Sequence, residues 1–74
     1  MASTESLSYD VASIGIVAGM VWEYLSQHGP VTQTRLAKEI DAPRDLVMQG
    51  IGWLAREGKV KFEETPRVRL ICLV

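Results

Sequence analysis

Cysteine is nearly absent from this 74-residue sequence, whose single thiol is Cys72. A lone cysteine cannot form an intramolecular disulfide, and it is typical of proteins from reducing compartments. A chain this short buries only about 60% of the surface that its unfolded form exposes, so its stability margin is narrow. We therefore expect the fold to be held by a compact, helix-rich core or by a partner subunit.

Histidine is equally scarce, and His28 is the only one. One histidine and one cysteine cannot form a zinc site, which needs about four ligands. No serine–histidine–acid arrangement is present, and Gly50 and Gly52 fall inside a predicted helix rather than in a phosphate-binding loop. We therefore predict that the protein is not an enzyme and uses no metal, cofactor or small-molecule substrate.

Long hydrophobic runs are also missing. The apolar stretch Val11–Trp22 is shorter than the roughly 20 residues that a membrane-spanning helix needs. The first ten residues contain no lysine or arginine, so the positively charged start of a secretion signal is absent. These features predict a cytoplasmic protein without a membrane partner.

Basic residues are missing from the first 30 positions and concentrate afterwards. Residues 31–74 carry all eight lysines and arginines against six acidic residues, although the net charge of the whole chain is −1. An excess of two positive charges indicates a weak preference for an anionic partner. It is far smaller than the basic stripe of a protein that binds duplex DNA strongly by itself.

Apolar residues recur at helical spacing in three segments. The first helix is predicted from a cap at Ser8 or Asp10 to Gly29-Pro30, the second over Gln33–Ile40 with Thr32 as its cap, and the third over Pro43–Glu57. Proline suits the first helical position, because its missing N–H would be unpaired there. Gly58 suits the left-handed conformation that ends many helices.

Two strands are predicted after the third helix, Lys59–Glu63 and Arg67–Leu73, joined by a hairpin tip at residues 64–66. In the second strand, Val68, Leu70 and Cys72 are predicted to face inward. Because the end of this strand is apolar on both faces, either the first helix or another subunit must cover its second face.

This order of elements predicts an α+β, mostly α, fold: a three-helix winged helix-turn-helix with a C-terminal β-hairpin wing. We assign residues 10–74 to this domain and residues 1–9 to a flexible N-terminal tail.

Several segments resemble a family of small, stand-alone bacterial winged helix-turn-helix domains, historically described as a domain of unknown function. These segments are Ile14-Gly15, Ala18-Gly19, residues 21–25 (VWEYL) and residues 52–59 (GWLAREGK). The last run is the most specific, and the resemblance extends over about Ile14–Leu73. It implies the winged-helix fold and a superfamily composed mostly of DNA-binding domains, but no particular operator.

The candidate nucleic-acid contacts are polar and basic residues of the second helix, the third helix and the wing: Arg35, Lys38, Arg44, Gln49, Lys59, Lys61, Arg67 and Arg69. Gln49 can pair bidentately with adenine, and Arg44 can reach a guanine or a phosphate. The four wing cations are predicted to share one exposed face. The competing interpretation is an ordinary solvated surface.

A second set of residues is apolar or small where a DNA reader would be polar: Gly15, Gly19, Trp22, Met48, Trp53, Ile71 and Leu73. Gly15 and Gly19 either let another element of the same fold come close or contact a second chain. We expect a nucleic-acid-binding domain, such as a small transcription regulator, acting on double-stranded DNA as a homodimer. The alternative is a protein-interaction or homodimerisation module that does not bind DNA.

Overall fold

A computed structural model of the chain describes residues 8–74, a bundle of three helices closed by a three-stranded sheet. The elements are α1 (Val11–His28), β1 (Val31–Thr32), α2 (Gln33–Glu39), α3 (Arg44–Arg56), β2 (Val60–Glu64) and β3 (Arg69–Leu73). Most of the predicted tail, residues 1–7, lies outside the described residues, and its flexibility remains a prediction.

α1 begins and ends where the sequence predicts. Asp10 is the N-cap, and its carboxylate accepts a hydrogen bond from the Ser13 N–H at 2.8 Å. This bond satisfies one of the four N–H groups that a helix start leaves without a partner. Gly29 ends the helix with a φ of 73°, a conformation that costs glycine little.

α2 and α3 are joined by a short turn, as in a helix-turn-helix. Thr32 caps α2, since its hydroxyl accepts from the Arg35 N–H at 3.1 Å. α3 starts one residue later than predicted, because Pro43 keeps an extended ψ of 141° and occupies the N-cap position. Gly58, with a φ of 73°, confirms the predicted helix stop.

The sheet contains a strand that the sequence did not predict. Val31 and Thr32, expected to be only an extended link, pair with Ile71 and Leu70 of β3. β3 therefore lies between β1 and β2, and both pairings are antiparallel. The extra pairing ties the α1–α2 connection to the C-terminal end of the chain.

The inward face of β3 differs from the prediction by one residue. β2 pairs with β3 so that Phe62 lies opposite Ile71 and Lys61 opposite Cys72. Ile71 is fully buried in the core, whereas Cys72 is on the other face of the sheet. Because side chains alternate along a strand, a shift of one residue exchanges the two faces. The predicted interface role of Ile71 is therefore wrong, and Leu73 also packs against the core.

The core lies between the helices and the inner face of the sheet. Its fully or almost fully buried apolar members include Val17, Val21, Leu25, Leu36, Leu46, Val47, Ile51, Leu54 and Ile71. α1 and α3 form the most extensive helix pair. Between these two helices, a Cβ built on Gly50 would be 3.0 Å from the backbone nitrogen of Ala18 and 3.2 Å from its Cα.

Gly15 and Gly19 do not mediate this approach. Apart from the adjacent residues and the nearby backbone of α1, a Cβ built on either residue would have no atom of residues 8–74 within 4 Å. The interpretation that these glycines admit another element of the same fold is therefore wrong. Gly50 has that role instead, and the space above Gly15 and Gly19 is open.

None of the helices in the part of the chain that the structure describes is long and apolar enough to cross a membrane.

We predict opposite effects for alanine at two glycines of α3. Gly50→Ala should destabilise the protein by about 1–3 kcal/mol, because the new methyl group meets rigid backbone atoms and forces α1 and α3 apart. Gly52→Ala should stabilise it by about 0.5–1 kcal/mol, because alanine favours a helix and the site is open. Chemical denaturation measures both. Equal stability of the two variants would contradict the close packing at Gly50.

Candidate nucleic-acid interface

The outward face of α3 is accessible along its length. Arg44, Asp45, Gln49 and Gly52 are exposed, as predicted for a helix that would enter a major groove. Met48 is half-buried instead, and its sulfur accepts a weak hydrogen bond from the Gln33 side chain at 3.8 Å. The face therefore offers one guanidinium and one amide near the start of the helix, with a carboxylate between them.

α2 carries two exposed cations, Arg35 and Lys38. Arg35 is held in place, since its Nε donates to the hydroxyl of Tyr24 at 3.0 Å. Tyr24 is in turn stacked on His28, with 4.2 Å between ring centroids. The terminal nitrogens of Arg35 stay available to a phosphate, and the hydrogen bond to Tyr24 restricts where the guanidinium can lie.

The wing ends in a tight turn over residues 65–68. The Thr65 N–H donates to the Val68 carbonyl at 2.8 Å, and the Thr65 hydroxyl accepts from the Val68 and Arg67 N–H groups at 3.1 and 3.3 Å. Pro66 occupies the second position, where its fixed φ suits such turns. These hydrogen bonds and the proline ring restrict the backbone that places Arg67 at the tip of the wing.

The four wing cations do not share one face, so that prediction is wrong. Lys61 lies on the outer face, opposite Cys72, whereas Arg69 lies opposite Glu64 on the face that Ile71 shares. Arg69 Nη2 forms an ion pair with Glu64 at 3.2 Å. Lys59 is paired with Glu57 at 3.7 Å. The register between β2 and β3 decides which face each of these cations occupies, and it places Arg69 beside Glu64. Alternation along a single strand does not supply this register.

Within residues 8–74, six of the eight basic side chains have no carboxylate partner: Arg35, Lys38, Arg44, Arg56, Lys61 and Arg67. Five of the six belong to α2, α3 and the wing tip, including Arg56 at the end of α3, and the sixth, Lys61, lies on β2. The free positive charge of the domain is therefore concentrated on the helix-turn-helix and on Arg67 rather than along the wing.

An open groove lies between α1 and the end of α3. Gly15, Gly19 and Trp22 line one side, and Trp53 and Leu54 line the other. Trp22 is 42% exposed and Trp53 is 36% exposed. The structure thus brings together four of the predicted interface residues and separates them from Met48, Ile71 and Leu73. Sequence spacing alone placed Trp53 on α3 but did not show that it faces α1.

Cys72 is buried on the outer face of the sheet, and its thiol donates to the Glu63 carboxylate at 3.4 Å. Burial raises the pKa of the Cys72 thiol, and the Glu63 hydrogen bond and negative charge raise it further. The nearby Lys61 acts in the opposite direction. The side chain is therefore a protonated, packed thiol at neutral pH. In this form it is a weak nucleophile, because only a thiolate is strongly nucleophilic.

The arrangement of helix, turn, helix and hairpin corresponds to a known family. A family model for a winged helix-turn-helix domain (DUF2582) matches residues 9–73. The chain belongs to this family. The predicted relationship and fold class are thereby confirmed, and the protein is a winged helix-turn-helix domain of a kind in which DNA binding is common.

A solved structure supports the same assignment. This winged-helix domain is similar to the solution NMR structure of protein BT2368 from Bacteroides thetaiotaomicron, with a TM-score of 0.73 and 30% sequence identity. The match covers 81% of this chain and 73% of that chain. Among curated proteins, none matches this winged-helix domain.

We predict that Glu63→Gln lowers the pKa of Cys72, because it removes the negative charge that opposes thiolate formation. The ultraviolet absorbance of the thiolate, followed against pH, measures this shift. Folding raises the pKa of this thiol, so the protonated thiol adds to the free energy of unfolding. The contribution is complete below the pKa that the thiol has in the unfolded chain, and it is lost as pH rises through the pKa that the thiol has in the folded protein. Cys72→Ala is the control without a titrating thiol, and an unchanged pKa in Glu63→Gln would contradict the assigned contact.

Proposed function

We propose that this winged-helix domain binds double-stranded DNA with the exposed face of α3 and the tip of the wing, and that it acts as a small transcription regulator. The observation that carries the proposal is the position of the unpaired cations among residues 8–74, five of which lie on α2, on α3 and at Arg67, with Lys61 on β2 as the sixth. A helix-turn-helix inserts its second helix into the major groove while its first helix crosses the phosphate backbone. Arg35 and Lys38 then contact phosphates.

Base readout in this proposal is modest. Gln49 pairs bidentately with adenine and Arg44 with guanine, while Asp45 between them repels phosphates and limits where the helix can dock. Met48 and Gly52 add no hydrogen bonds. Specificity therefore depends on few contacts, which favours a homodimer that reads two half-sites over a monomer.

A single buried cysteine and a DNA partner are consistent with the bacterial cytoplasm, where thiols stay reduced. Lys59 and Arg69 contribute less to DNA binding than the sequence predicted, because each must first leave a carboxylate partner. We assign the domain no catalytic role, cofactor or small-molecule substrate.

Two matched pairs of alanine variants test this proposal. Lys38→Ala and Arg67→Ala should weaken DNA binding. Each should also reduce the slope of the logarithm of the binding constant against the logarithm of the salt concentration by about one. Lys59→Ala and Arg69→Ala should have smaller effects, because these side chains are already paired. Fluorescence anisotropy with random duplex, starting from about 50 mM salt, measures the affinities. We expect dissociation constants of about 1–100 μM. Absence of binding at tens of micromolar would refute the proposal.

The alternative function is homodimerisation without DNA binding, and the groove between α1 and α3 favours it. Two partly exposed tryptophans flank open space above Gly15 and Gly19. Large aromatic residues are enriched in protein interfaces, and small residues let two helices approach closely. In this alternative, α1 of a second copy covers the groove, and the DNA-facing cations are only solvated.

A bulky side chain at Gly19 tests the alternative. Gly19→Leu should leave the monomer folded, because its Cβ has no neighbour within 4 Å, yet it should block the approach of a second helix. Gln27→Leu, also exposed on α1, is the control away from the groove. Sedimentation velocity over a range of concentrations measures association. A clean monomer at high concentration, or a dimer that Gly19→Leu does not weaken, would rule out this interface.

A further inference from the structure

The outer edge of the wing is a strand with one unoccupied side. β3 pairs with β2 on one side, and no other strand of residues 8–74 pairs with β2. Every residue from Lys61 to Arg69 is exposed. Such an edge presents unpaired backbone groups, and it can accept a strand from another chain.

The hydrogen bonds at the two ends of the hairpin show which backbone groups face outward. The Lys59 carbonyl accepts from the Val74 N–H at 3.1 Å, and the Thr65 N–H donates to the Val68 carbonyl at 2.8 Å. Bonded pairs alternate along an antiparallel ladder, so Lys61 and Glu63 also bond toward β3. Phe62, which lies between them, and Glu64, which follows Glu63, therefore direct their N–H and C=O groups to the free edge.

The charges along this edge are complementary to themselves. If a second β2 lies antiparallel and Phe62 faces its own copy, Lys61 lies opposite Glu63 of the other chain, and the reciprocal pair also forms. A register shifted by two residues in either direction breaks both of these pairs, because it places Glu63 opposite Glu63 or Lys61 opposite Lys61 of the other chain. Oppositely charged pairs directly across two strands stabilise a sheet, and like charges there destabilise it.

Phe62 supplies the apolar part of the same contact. It is 48% exposed although it shares a face with the buried Ile71. Antiparallel pairing about Phe62 would bring the two phenyl rings together on this face. Aromatic cross-strand pairs are among the favourable pairs in sheets, so one register satisfies backbone, charge and apolar groups together.

We propose that two copies of this domain associate through their β2 strands, antiparallel and centred on Phe62, to form one continuous six-stranded sheet. This inference deepens the proposed function, because it names the surface that forms the DNA-binding homodimer. The dimer does not need DNA to form, so the interface and DNA binding can be tested separately.

Charge exchange tests the interface without DNA. Lys61→Glu and Glu63→Lys each place like charges opposite one another twice in the dimer and should raise its dissociation constant about tenfold or more. The double variant Lys61→Glu/Glu63→Lys restores both opposite pairs and should return the constant to within about threefold of the wild-type value. Sedimentation equilibrium up to about 1 mM protein measures association, and circular dichroism verifies that each variant is folded.

Amide hydrogen exchange gives a second readout that needs no variant. The Phe62 and Glu64 amides should exchange rapidly in dilute protein and become at least tenfold slower at concentrations where the dimer forms. The Lys61 and Glu63 amides, which bond toward β3, should be protected at both concentrations and serve as internal controls.

Three results would overturn the proposal. These are a monomer at about 1 mM, a double variant no better than the single variants, and a dimer that Gly19→Leu breaks while the charge variants do not. The last result would assign self-association to the groove. A wild-type β2 dimer that binds no DNA would support the interface and refute the proposed function, whereas a monomer that binds DNA would do the reverse.

Discussion

The fold depends on the close approach of α1 and α3 at Ala18 and Gly50. The backbones come so near that a Cβ on Gly50 would lie 3.0 Å from the Ala18 nitrogen. This contact brings the apolar sides of two amphipathic helices together and sets the position of α3 relative to the sheet. Because α3 is anchored through one face, its opposite face stays accessible, and the turn before it places α2 beside it.

The sheet depends on a second constraint, the register of the wing. Ile71 is drawn into the core, which fixes the faces of all residues paired with β3. As a consequence Lys61 and Arg69 lie on opposite faces, and Arg69 is paired with Glu64. The wing is therefore less positive than its sequence indicates. Within residues 8–74, unpaired cations remain on the helix-turn-helix, on Arg67 at the tip and on Lys61.

Three surfaces follow from these two constraints, and they differ in chemistry. The face of α3 and the wing tip are polar and basic, the groove beside Trp22 and Trp53 is apolar, and the edge of β2 offers backbone groups between opposite charges. Residues 8–74 contain no ligand domain separate from the winged helix. If the domain binds DNA as proposed, self-association is a simple physical route of control, since dimerisation would change the number of phosphates contacted.

Sequence by itself determined the three helices, the hairpin and the fold class, because caps, helix stops and apolar periodicity are local signals. Asp10, Thr32 and Gly58 act within one helix turn, so their effect is readable from the chain. Only the tertiary structure decided that β1 joins the sheet, that Gly50 rather than Gly15 or Gly19 is the contact point, and which way the wing cations face. Each of these depends on residues distant in sequence, whose register and packing no local pattern encodes.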